Sequence, residues 1–155
     1  MTRAAWLAAA CLFAFPVLAQ PSPPPPCTWC GGAGGEAPVQ VLDTKKKERS
    51  ACCDLVCALR LTAARTSTAI VTIPAGEAEV VKVVRTGKQW TALPATAVFL
   101  VVPTTPGSLG HQAFVTQARY IQYLAGHREL IGLRPRPLRL GALLEQLAPA
   151  KPASK

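Results

Sequence analysis

Hydrophobic and polar positions divide the chain into an apolar opening, a proline- and glycine-rich stretch, and a series of alternating or helically spaced segments. Val39-Gln40-Val41-Leu42-Asp43 alternates and predicts a strand. Leu55, Val56, Leu59 and Leu61 fit helical spacing behind Ser50, a good N-cap, so a helix is predicted from about Ala51 to Ala64. Ala69 to Ile73 is β-branched and ends at Pro74-Ala75-Gly76; Ala78 to Val84 reads as a second strand, and Thr86-Gly87 as a turn. Trp90 to Ala95 reads as a short connection, Ala97 to Val102 as a buried strand and Pro103 to Gly110 as a loop. Phe114, Ala118 and Ile121 share one helical face, which predicts a helix from His111 to Ala125 stopped by Gly126. Glu129 to Leu133 reads as a strand and Leu138 to Leu147 as a last helix. The order suggests two β-rich halves, each around one helix.

The opening changes where this domain begins. Arg3 is followed by an almost unbroken apolar run from Ala4 to Val17, and Val17-Leu18-Ala19 has the small residues a signal peptidase reads. Residues 1–19 are therefore expected to be a cleaved signal peptide. The run is shorter than the about 20 apolar residues of a spanning helix, and Pro16 breaks it. A lipid anchor is disfavoured: Cys11 has too little apolar length before it, and Cys27 follows four prolines. The expected location is the periplasm, or outside the cell. Residues 20–37 form a Pro/Gly-rich leading segment, 38–147 the folded domain and 148–155 a disordered tail.

Charge adds a partner class. The chain has 17 Lys and Arg against 8 Asp and Glu; loss of Arg3 with the signal leaves about +8. Export and the lack of a recognisable binding module argue against nucleic acid. Anionic lipid surfaces or an acidic partner protein fit better. The densest basic run, Lys45-Lys46-Lys47 with Arg49, reads as a solvated turn.

The cysteines carry the candidate chemistry. Cys27, Cys30, Cys52, Cys53 and Cys57 remain after the signal, an odd number that cannot pair completely within one chain. Cys27-Thr28-Trp29-Cys30 lets two sulfurs converge on one ion or form a local disulfide. Cys53 and Cys57 are spaced to share a helical face. Cys52 and Cys53 fall in the first turn of the predicted helix, where orphan amides and the helix dipole favour thiolate. Thiolates suit Cu(I) or Zn(II). The competing readings are a structural disulfide and a thioredoxin-like redox pair, although Cys27 and Cys30 run into glycine rather than a helix. Cys57 reads as the plainest core cysteine. His111 and His127 flank a predicted helix and read as structural or solvated. There is no G-x-S-x-G or H-E-x-x-H, and the aspartates are only Asp43 and Asp54, so the chain reads as a non-enzyme.

The order of features resembles the nitrous oxide reductase accessory protein (NosL) family, from about Cys27 to Leu147. Cys27-Thr28-Trp29-Cys30-Gly31 looks like the family's Cys-x-x-Cys-Gly-Met segment, and Cys52-Cys53-Asp54-Leu55-Val56 like its cysteine-bearing helix start. Trp90-Thr91-Ala92 before the Ala97 strand, then Thr105-Pro106-Gly107-Ser108-Leu109-Gly110 with Ala113-Phe114, resemble its later segments. The resemblance implies an α+β fold of two small β-β-α-β-like units forming one compact domain. It implies a periplasmic Cu(I)-binding accessory protein, metallochaperone-like, whose partner is an apo-copper enzyme or a membrane copper-transport or assembly complex. Gly32 and Leu109 stand where the family has methionines. Metal binding here would fall to Cys27, Cys30, Cys52 and Cys53, with His111 as an extra ligand. The alternative is a disulfide-stabilised interaction module without metal.

Overall fold

The computed structural model describes residues 24–34, 37–76, 78–105 and 108–148. The expected signal peptide, the leading segment before residue 24 and residues 149–155 of the expected tail lie outside the described residues. The architecture is α+β, as the pattern predicts.

Strands β1 (Val39–Asp43) and β2 (Glu48–Cys52) form an antiparallel hairpin, with Val39 opposite Cys52 and Asp43 opposite Glu48. The lysine run makes its turn: Asp43 Oδ1 accepts from the Lys45 and Lys46 amides at 2.9 and 3.0 Å, and Lys47 takes φ +60°. Helix α1 (Leu55–Arg65) follows, then β3 (Thr68–Pro74), β4 (Val80–Thr86) and β5 (Gln89–Leu93). The five strands pair antiparallel in the order β2-β1-β3-β4-β5.

One face of this sheet forms the core. Alternation places Val39 and Val41, Ala69, Val71 and Ile73, and Val81 and Val83 inward, where they cluster with Leu55, Ala58, Leu59 and Leu61 of α1. Each fully buried Val or Leu contributes about 1.5–3 kcal/mol. Thr62 is the one buried polar side chain among the described residues; its Oγ1 donates to the Ala58 carbonyl at 2.8 Å. The Thr62 carbonyl accepts from Arg85 Nη1 at 2.6 Å, and the Arg85 guanidinium also lies 5.1 Å from the Trp90 ring centre.

Strands β6 (Val98–Thr105) and β7 (Ser108–Phe114) form a second, two-stranded sheet, followed by α2 (Gln117–Gly126), α3 (Arg128–Ile131) and α4 (Leu140–Leu147). Phe99 joins the main core, whereas its neighbours Val98 and Leu100 join a smaller cluster with Phe114 and Tyr120. No described helix is long and apolar enough to cross a membrane.

Several boundaries differ from the pattern. Helix α1 begins at Leu55, capped by Asp54 rather than Ser50, because Ser50 and Cys52 are taken up by β2 pairing. Trp90 to Leu93 is not a connection but the outer strand β5, held by its register with β4. The predicted helix start at His111 is strand: residues through Phe114 pair with β6, and α2 begins after Thr116, whose side chain accepts from the Arg119 amide. The predicted loop is correspondingly shorter, with β6 reaching Thr105 and β7 beginning at Ser108; residues 106–107 lie outside the described residues. Glu129 to Leu133 is not a strand, since Arg128–Ile131 forms a helical turn. The first half is thus β-β-α-β-β-β, longer than the expected β-β-α-β unit, and the second is a β-hairpin followed by helices.

Candidate metal centre

The site starts from a tight turn. The Cys27 amide donates to the Gly32 carbonyl and the Gly31 amide to the Cys27 carbonyl, both at 2.9 Å. Gly31 takes φ +72°, a conformation glycine adopts without steric cost. The Thr28 amide donates to the Ala51 carbonyl at 2.9 Å, which fastens the turn to β2, an end strand of the large sheet. Cys27 and Cys30 are thereby held beside the start of α1.

Helix α1 supplies the other half. Asp54 is extended (φ −150°, ψ 175°), and its Oδ1 accepts from the Cys57 amide at 2.7 Å. This cap starts α1 between Cys53 and Cys57. Their sulfurs meet at 3.5 Å, and Cys53 Sγ lies 3.6 Å from Cys30 Sγ. The sulfurs of Cys27, Cys30, Cys53 and Cys57 all lie within 4.8 Å of one another. An ion held tetrahedrally at about 2.3 Å from each sulfur would set them about 3.8 Å apart. These two contacts are close to that spacing, so small side-chain rotations suffice to close the group on an ion.

Electrostatics divide the sulfurs. Burial by itself would raise the Cys27 thiol, but amides of Cys30, Cys53 and Trp29 and the Cys30 side chain outweigh it and lower the pKa to about 6. Cys27 is therefore the group's ready thiolate. Burial raises the Cys53 thiol to about 12, with the Asp54 charge adding to it. Cys57 is pushed up as well, by burial first and then by Cys53 and Asp54. An ion must displace the protons these two hold, so binding releases protons.

The structure brings together three of the sequence-derived candidates, Cys27, Cys30 and Cys53, and adds Cys57. Cys57 is half-buried against the core and faces Cys53; its spacing of four residues from Cys53 is the signal for it. Cys52 lies outside the four-sulfur group, 1% exposed in the main core. The expected thiolate bias at the helix start does not hold for Cys52 or Cys53. Cys52 belongs to β2, Cys53 precedes the cap, and burial raises Cys52 to about 12. His111 is on β7 in register with Val101, and its side chain lies outside the described part of the structure. His127 directs Nδ1 to the Tyr123 carbonyl at 2.9 Å and stacks on the Tyr123 ring at 4.0 Å, which gives it a structural role.

The cap should couple stability to the site. Asp54→Ala is expected to cost about 1 kcal/mol through the lost N-cap, and to weaken ion binding about tenfold because Cys57 loses its orienting contact. Asp54→Asn, which can still cap, should recover most of both. Thermal melts and a metal competition titration on the two variants check this.

All five described cysteines are free thiols. What the group offers chemically is four soft donors from two chain segments, suited to one thiophilic ion. No family model, no curated protein and no solved structure matches this chain.

Proposed function

We propose that this protein is an exported Cu(I)-binding accessory protein of the NosL kind. It carries the ion on Cys27, Cys30, Cys53 and Cys57 and passes it to an apo-copper enzyme or a membrane copper-transport or assembly complex. The supporting observation is the group of four sulfurs within 4.8 Å, graded from buried Cys27 to exposed Cys30. Thiolates select soft ions such as Cu(I). The exposed edge suits transfer, because an acceptor's ligand can replace Cys30 first while the deeper sulfurs still hold the ion. Nitrous oxide reductase is the client that the sequence resemblance suggests.

A second reading has its own support. Four similar donors suit tetrahedral Zn(II), and such an ion would staple the Cys27–Gly32 turn to α1. Anaerobic titration of the reduced chain against a chromogenic Cu(I) chelator separates the two. The expected result is one Cu(I) withheld per chain, with an ultraviolet thiolate-to-copper band, and displacement of any bound Zn(II). Failure to withhold a stoichiometric ion would end the copper reading. Zinc that resists excess Cu(I) would favour the staple.

A further inference from the structure

The four sulfurs are not equally accessible, and this matters for their redox chemistry. Cys30 is exposed, Cys53 and Cys57 are half-buried and Cys27 is buried. Cys30 and Cys53 come from segments 23 residues apart, yet their sulfurs are 3.6 Å apart. A disulfide places its sulfurs about 2.05 Å apart, so the remaining gap is about 1.5 Å. Gly32 leaves room for that movement: a Cβ there would lie 3.3 Å from Cys30 Sγ, tighter than ordinary packing. Cys27 is 3% exposed, and the short sulfur contact of Cys30 is made to Cys53.

We propose that Cys30 and Cys53 form a redox latch on the metal centre, closed by oxidants of the disulfide class. This inference rests on the metal-binding reading of the same site. The Cys30 thiolate attacks one sulfur of an external disulfide, whose S–S bond breaks and releases the first thiolate. Cys53 then attacks Cys30 Sγ in the mixed disulfide and releases the second. The two cysteine sulfurs lose two electrons, the external disulfide gains them, and the released thiolates take protons from water. Two of the four anionic donors become neutral disulfide sulfurs. The ion, its charge unchanged, is left on Cys27 and Cys57 and departs to a competing ligand. The latch thus ties release of the cargo to oxidation.

The test uses the full chain. Treat the reduced, metal-free protein with excess oxidised glutathione, alkylate the remaining thiols and map the linkages by mass spectrometry. A Cys30–Cys53 bond is expected as the main product. A dominant Cys27–Cys30 bond, or glutathione left stably on Cys30, overturns the proposal. In parallel, oxidise the Cu(I)-loaded chain beside a chromogenic chelator. One ion released per disulfide is expected, and retention of the ion by the oxidised protein overturns the proposal. Cys53→Ser should stop at the glutathione adduct of Cys30, and Cys30→Ser should slow oxidation at least tenfold. An unaltered disulfide yield in Cys53→Ser counts against the latch. If the reduced chain takes up no Cu(I), the metal reading fails, while the linkage map still decides whether Cys30 closes onto Cys53.

Discussion

Cys53→Ser should weaken binding of a thiophilic ion about a hundredfold, whereas Cys52→Ala, one residue earlier, should change it by less than about threefold. The contrast follows from geometry. Cys53 Sγ touches both Cys30 and Cys57 and is the central contact of the group. Cys52, 1% exposed, packs in the core with Leu55 and Leu59. Four-ligand zinc sites bind with about 10–16 kcal/mol, so one ligand in four carries about 3 kcal/mol, close to the hundredfold expected. The melting temperature should report the same difference. A ligand present at about a thousand times its dissociation constant adds about 4 kcal/mol to stability, and Cys53→Ser should lose most of that increment. Cys52→Ala should instead lower the melting temperature by about the same amount with and without the ion, since Cys52 lies outside the four close sulfurs. Chelator competition and paired thermal melts check both parts. Equal loss of affinity in the two variants would mean that the donor set is not the one drawn by the four close sulfurs.

The features legible in the sequence are those fixed by local patterning. Alternation identifies β1, the β-branched run from Ala69 to Ile73 identifies β3, and the spacing of Leu55, Leu59 and Leu61 identifies α1 and its buried face. The spacing from Leu140 to Leu147 identifies α4. The misread boundaries depend on distant partners. Residues His111 to Phe114 have a composition compatible with the start of a helix, but pairing from Val98 to Val101 makes them strand. Trp90 is strand because Arg85 lies opposite it. Ser50 and Asp54 are both competent caps, and the choice falls to Asp54 only because β2 claims Ser50 opposite Val41. The site follows the same division. Cys27 and Cys30 form a local turn and were legible as a pair. Exchanging Cys52 for Cys57 in the group depends on the single boundary between β2 and α1, which spacing by itself leaves open.

Phe99→Ala should be the most damaging core substitution, costing about 3–5 kcal/mol. Phe99 is the largest fully buried side chain among the described residues, at 0% exposure. Its backbone amide and carbonyl both pair with Leu138, at 2.9 and 2.8 Å, which fixes the approach to α4. The side chain joins the main core while Val98 and Leu100 pack on the opposite face with Phe114 and Tyr120, so β6 is covered on both sides. A void there cannot be filled by solvent-facing groups. Domain stability is typically about 5–15 kcal/mol, so the loss is a large share of the total and should lower the melting temperature by on the order of 10–20 °C. Ile121, 57% exposed on α2, is the control: Ile121→Ala should change stability by less than about 0.5 kcal/mol. The four-sulfur group is held by the Cys27–Gly32 turn, β2 and α1, with none of its ligands on β6. The Phe99 variant, kept well below its lowered melting temperature, should therefore still bind one ion per chain. Circular dichroism melts with metal stoichiometry at low temperature decide this. A variant that stays folded but loses the ion would show that the second sheet, and not only the first, shapes the metal centre.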